Sequence, residues 1–144
     1  MDFELVCFCD AAKRLARRLS ALYDDNLKSC GLNAGQFAIL SQIAMREPVS
    51  VSTLAKAVDL EQSTMTRNLA SLKSIGAILM SSDKGDARVK TIRLSKKGKD
   101  LVAEGDPLWK KSQQQARKLM TKAFANELLG VSIEQRTDGI ESDN

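Results

Sequence analysis

The side chains able to do chemistry are unevenly spread along the chain. His is absent, which removes the commonest general base and the commonest metal ligand together. The sequence offers no paired acid/base motif, Gly-rich phosphate loop or nucleophile elbow either, so an enzyme is not expected. Three cysteines and a basic block remain. Residues 61–100 carry nine basic and four acidic side chains, whereas residues 1–60 balance at seven each and residues 101–144 carry six basic and seven acidic. A local cationic excess is the footprint of a phosphate-binding surface; a solvated Lys-rich face is the alternative. Inside this block Gln62, Ser63, Thr64, Thr66 and Arg67 gather amide, hydroxyl and guanidinium groups. Lys84, Asp86, Arg88 and Lys90 follow in and after a polar turn.

These groups need elements to hold them. Residues 3–29 read as one long helix, with Leu5, Cys9, Ala12, Ala16, Leu19, Leu22 and Leu27 in helical rhythm. Lys13, Arg14, Arg17 and Arg18 take its other face, and Gly31 stops it. Asn33, with Gln36 three residues on, caps a second helix as a variant capping box. Its core face is Phe37, Leu40, Ile43 and Ala44, and Glu47-Pro48 ends it. Ser50 caps a short helix through Leu54, Ala55 and Val58. A turn then leads to a helix over 62–75, where Met65, Leu69 and Leu72 point inward, Gln62, Ser63, Thr66, Arg67 and Lys73 point outward, and Gly76 closes the element.

From residue 77 the period shortens. Residues 77–80 are an apolar run, 81–86 carry turn chemistry, and 89–94 alternate apolar and polar, which predicts a β-hairpin with a charged tip. Ser95 caps a last helix over about 96–125, with a kink expected near 104–107 from Pro107. Phe124, Leu128 and Leu129 hint at a further helix before residues 131–144, a polar tail expected to be disordered. The organisation expected is a single domain over 1–130, with a winged helix at about 33–95.

At 43% hydrophobic the chain can bury a core, yet no run approaches the ~18 apolar residues of a membrane span. Met1-Asp2-Phe3-Glu4 lacks the start of a signal peptide, so a cytoplasmic protein is expected. An odd cysteine count excludes a fully paired internal disulfide framework.

Two short helices, a tight turn and a hairpin make a winged helix-turn-helix: mainly α, with a small β-hairpin wing. A helix fits the major groove of B-DNA. A helix N-terminus favours phosphate, and Arg suits a narrow, negative minor groove. Double-stranded DNA is therefore the expected partner, and a winged-helix module that binds protein is the alternative.

The segment from Leu54-Ala55 through Val58-Asp59-Leu60-Glu61-Gln62-Ser63-Thr64-Met65-Thr66-Arg67-Asn68-Leu69 has a second part in Asp83-Lys84-Gly85-Asp86-Ala87-Arg88 and Ile92-Arg93-Leu94-Ser95-Lys96-Lys97-Gly98. Together they resemble the paired helices and wing signature of the MarR family of transcription regulators, over roughly residues 5–125. The resemblance implies that Arg88 enters the minor groove, that Asp86 orients it, and that Thr64, Thr66 and Arg67 face the major groove. Gly85 stands where the family's first wing arginine lies, with Lys84 beside it. A homodimer is also implied, its long dimerisation helices (about 3–29 and 96–125) intertwined and its two recognition helices about one DNA turn apart on a palindromic operator. Trp109 and Phe124 are candidates for that interface, or for core filling. The resemblance points to a repressor released by a signal.

Two signals fit the resemblance. One is a small anionic or aromatic effector bound near the dimer helices, with Arg14, Arg17 and Arg18 nearby. The other is cysteine oxidation. Cys9 falls where the hydroperoxide-sensing branch keeps its reactive cysteine, Tyr23 matches one of two tyrosines serving that thiol, and Lys13 stands at the other. Cys7 and Cys9 point about 200° apart on a helix, so a bridge would run between subunits or to Cys30. Packing of small apolar cysteines is the alternative. Without His, a metal site has too few soft ligands, and neither metal nor cofactor is expected.

Overall fold

A computed structural model of the chain describes residues 7–138. In chain order these form α1 (Phe8–Leu27), a 3-10 turn (Lys28–Cys30), α2 (Ala34–Arg46), β1 (Val49–Ser50), α3 (Val51–Ala57), α4 (Gln62–Ser74), β2 (Ile78–Ser82), β3 (Lys90–Leu94), α5 (Lys96–Lys118) and α6 (Lys122–Asp138). The helix starts follow the cap chemistry. Asn33 Oδ1 accepts from the Gln36 N–H at 2.8 Å, and Gln36 Oε1 accepts from the Asn33 N–H at 3.0 Å, closing a full capping box. Ser50 Oγ accepts from the Thr53 N–H, and Ser95 Oγ accepts from the Gly98 N–H. Gly31 and Gly76 end their elements at φ 78° and 75°, a conformation that side chains disfavour.

The three strands form one antiparallel sheet in the order β1-β3-β2. Its inner face, with Val49, Ile78, Ile92 and Leu94, joins Leu40, Ile43, Leu54, Met65, Leu69 and Leu72 in one core. Ala44, expected in that core, is exposed, and Ile39 is buried. The long helix α5 docks onto this lobe along two glycines seven residues apart, hence on one helix face. A Cβ on Gly98 would lie 2.0 Å from the Ala77 carbonyl oxygen, and one on Gly105 would lie 2.5 Å from the Phe37 ring. Trp109 lies further along α5, its ring centroid 6.4 Å from that of Phe37. It is half-buried against its own chain's core, which fits the core-filling role.

The C-terminal third differs from the sequence expectation. Helix α5 runs through Pro107 without a break. The interruption comes at residues 119–121, where Thr121 Oγ1 accepts from the Phe124 N–H at 3.2 Å and starts α6. The single helix expected over 96–125 is thus two, divided by a Thr cap that the apolar rhythm across it hid. Helix α6 continues to Asp138, into the stretch expected to be a disordered tail; an existing helix propagates through polar residues at little cost. Residues 139–144, and the start of the expected first helix including Leu5, lie outside the described residues. No helix among the described residues is long and apolar enough to cross a membrane.

Candidate nucleic-acid interface

Helix α4 is held by its apolar stripe, with Met65, Leu69 and Leu72 buried. Helical spacing then forces Gln62, Ser63, Thr66 and Arg67 outward, and all four are exposed, while Thr64 is half-buried. Local bonds set what each can offer. Thr66 Oγ1 donates to the Gln62 carbonyl at 2.8 Å, leaving its lone pairs and methyl for a partner. Arg67 Nη2 donates to Thr64 Oγ1 at 3.4 Å, so Thr64 steadies the guanidinium from below. The N-cap, Glu61, makes no side-chain cap bond, so the first backbone N–H groups of α4 have no side-chain partner there.

The hairpin of β2 and β3 follows. Its tip is organised by Asp83 and Asp86: the Gly85 N–H donates to Asp83 Oδ1, and the Arg88 N–H donates to Asp86 Oδ1 at 3.0 Å. Arg88 Nε lies 3.6 Å from the same Asp86 oxygen, and its side chain is 94% exposed. Asp86 therefore grips Arg88 by backbone and side chain while the guanidinium projects into solvent. Lys84 and Lys90 are exposed on either side. Arg67, Lys73, Lys84, Lys90, Arg93 and Lys97 make no ion pair with another described residue, whereas Lys96 and Lys99 approach carboxylates. The cationic excess of the central block is thus largely unneutralised, as a polyanion-binding surface requires.

The MarR family model matches residues 32–90, which span α2 through the wing tip. Similar solved structures cover more of the chain. The M. tuberculosis transcriptional regulator MosR, solved in complex with DNA, is 28% identical with a TM-score of 0.79, over 94% of this chain and 99% of that one. A mutant of Escherichia coli MarR complexed with operator DNA is 19% identical with a TM-score of 0.81, over 93% and 98%. Bordetella bronchiseptica BpsR, whose DNA binding is regulated by 6-hydroxynicotinic acid, is 20% identical with a TM-score of 0.81, over 93% and 96%. The MarR fold therefore extends beyond the matched domain to the flanking helices.

Those flanking helices carry the other candidates. Cys7 is the N-cap of α1 and Cys9 lies in its first turn, both exposed; Cys30 is half-buried, its Sγ donating to the Leu27 carbonyl. The 20 residues of α1 span about 30 Å, which rules out a Cys9–Cys30 bridge within one chain. By the same rise Cys9 and Tyr23 are about 21 Å apart, so one chain alone does not bring them together. Arg14 pairs with Asp10 at 2.8 Å.

Tyr23 serves a different group. Its hydroxyl donates to Gln113 Oε1, and Asn26 Nδ2 donates to Ser112 Oγ at 2.9 Å and to Gln115 Oε1 at 2.7 Å. This polar seam zips α1 to α5. The motif reading passed over Asn26, Ser112, Gln113 and Gln115, because two facing helices must be known before their polar residues can be matched. Beside the seam is a cavity of about 110 Å³ lined by Leu19, Met120, Leu128 and Leu129, with Tyr23, Gln113 and Arg117 as its polar groups.

Burial pushes the Tyr23 phenol above its ordinary pKa, against a smaller downward pull from Arg117. The fold thus favours the neutral phenol. Its contribution to stability is intact below about pH 10, the unfolded value, and is lost as pH rises through the higher folded value. Thermal melts across that alkaline range should show a decline that Tyr23→Phe makes shallower.

Proposed function

We propose that the protein is a sequence-specific transcriptional regulator that binds double-stranded DNA as a homodimer and represses from palindromic operators. The observation that carries this reading is the pairing of an outward polar face on α4 with an adjacent wing whose Arg88 is both fixed by Asp86 and exposed. In that reading Gln62, Ser63, Thr66 and Arg67 reach bases and phosphates of the major groove. Arg88 enters the flanking minor groove, and Lys84 and Lys90 neutralise phosphates. MosR and the E. coli MarR mutant, both solved on DNA, support it.

Exposed apolar groups on the flanking helices support the dimer. Phe8 is 91% exposed, Leu119 69% and Leu129 46%; large apolar side chains left in water on the flanking helices are available to an association surface. Phe124, also exposed, belongs with them.

Release comes from a small aromatic anion or from oxidation of Cys7 or Cys9. BpsR, regulated by the aromatic acid 6-hydroxynicotinic acid, supports the first. Exposure of both thiols at the start of α1 supports the second. The test is selection of duplexes from a randomised library. An enriched inverted repeat is expected, whereas retention that depends on salt but on no sequence would sink the proposal. Hydrogen peroxide and 6-hydroxynicotinic acid are then added to the selected complex. Release by peroxide that Cys9→Ser abolishes assigns the oxidative route, and release by the acid assigns the ligand route.

A further inference from the structure

The end of the sheet contains a substitution of side chain for backbone. Strand β1 pairs Val49 with Ile92 and Ser50 with Thr91. Continuing that register would set residue 47 opposite Leu94, but β1 begins only at Val49, because Glu47 still closes α2 and donates its N–H to the Ile43 carbonyl. The Leu94 N–H is instead taken by the Glu47 carboxylate, Oε2 accepting at 2.7 Å. The other oxygen, Oε1, lies 3.9 Å from Lys99 Nζ on α5, and the Glu47 side chain is only 22% exposed. One carboxylate therefore ties the end of α2 to the last residue of β3 and faces the first turns of α5.

We infer that Glu47 is a positioning residue for the wing: its bond to Leu94 fixes the angle of β3 and so the place of Arg88 relative to α4. The inference rests on the DNA-binding reading above. Strand β3 is the return arm of the wing, running from Lys90 beside the tip to Leu94 at the base. At the base, the Ser95 N–H bonds the Ala77 carbonyl at 3.0 Å and Ser95 Oγ donates to the Gly76 carbonyl at 2.6 Å. Those bonds hold the side of the base next to β2. On the opposite side, next to β1, the ladder has ended, and the Glu47 carboxylate supplies the remaining restraint. Without it the Leu94 N–H loses its acceptor, and on the β1 side only the Val49–Ile92 and Ser50–Thr91 pairs remain, two residues short of the base, so the end of β3 can shift. A small rotation at the base moves the tip farthest, because Arg88 is at the distal end of the hairpin. Glu47 is remote from Arg67 and Arg88 in sequence and carries the wrong charge to touch DNA, so its effect on recognition acts through the strand.

The experiment uses the duplex selected by the full-length protein, with Glu47→Ala, Glu47→Gln and Glu47→Asp compared. Hydroxyl-radical cleavage reports the minor groove, and dimethyl sulfate methylation of guanine reports the major groove. Glu47→Ala should bind about tenfold more weakly, one lost groove contact's worth. It should keep major-groove protection and lose the flanking minor-groove protection. Glu47→Gln, whose amide oxygen still accepts from Leu94, should restore both. If Glu47→Ala does not fold by circular dichroism, Glu47→Asp decides, since its shorter chain keeps the charge but falls short of the Leu94 N–H; loss confined to the minor groove is again expected. Wild-type footprints from a folded Ala or Asp variant, or equal loss in both grooves, would overturn the role of Glu47. Failure of the wild-type protein to select any duplex overturns the DNA reading instead.

Discussion

Arg88→Ala should weaken binding to a selected duplex by roughly 1–3 kcal/mol, up to about two orders of magnitude in affinity, without lowering Tm. The argument is one of exposure and fixation. The guanidinium is 94% exposed and joins no core, so its loss leaves the fold intact. The Arg88 N–H bonds Asp86 Oδ1 and its Nε lies 3.6 Å from the same oxygen, so Asp86 orients the residue at the wing tip. Arg67→Ala should cost a comparable amount at a different place, the major-groove face of α4, where Thr64 Oγ1 steadies the side chain. Lys84→Ala should weaken all sequences alike and reduce the salt slope by about one. Fluorescence anisotropy at several salt concentrations measures all three. Unchanged affinity for both arginine variants would favour a winged helix that binds protein.

Gly98→Ala should destabilise the fold, although Gly to Ala inside a helix ordinarily stabilises by about 1 kcal/mol. The sign reverses because the added Cβ would fall 2.0 Å from the Ala77 carbonyl oxygen, a backbone atom that accepts the Ser95 N–H and cannot move alone. Moving α5 away would also open its contact at Gly105 with Phe37. A loss of at least about 2 kcal/mol is expected, on the order of 5–10 °C in Tm. Gly85→Ala is the control, since a Cβ there meets nothing within 4 Å. A Gly98→Ala protein as stable as wild type would contradict the docking of α5 described above.

Much of this architecture was legible from local chemistry. Asn33, Ser50 and Ser95 started helices where their side chains can accept a backbone N–H, and the change from helical to alternating rhythm located the hairpin. Those signals need only a few neighbouring residues. What stayed hidden depends on residues far apart. The bond from Leu94 to Glu47 spans 47 positions and the one from Asn26 to Ser112 spans 86, and no periodicity announces either. Pro107 sits inside a continuous α5 for a related reason: its missing N–H is a local deficit, whereas the packing of α5 along Gly98, Gly105 and Trp109 is set by the whole lobe. Among the candidate DNA contacts, exposure separates Arg67 and Thr66 from the half-buried Thr64, a distinction that spacing on one helix left open.

The most direct test of the account is the stoichiometry and footprint of the full-length protein on its selected duplex, by light scattering and hydroxyl-radical cleavage together. The expected result is two chains per duplex, with two major-groove contacts centred about 10 base pairs apart and a protected minor groove outside each. One chain per duplex, or protection without that spacing, would contradict it.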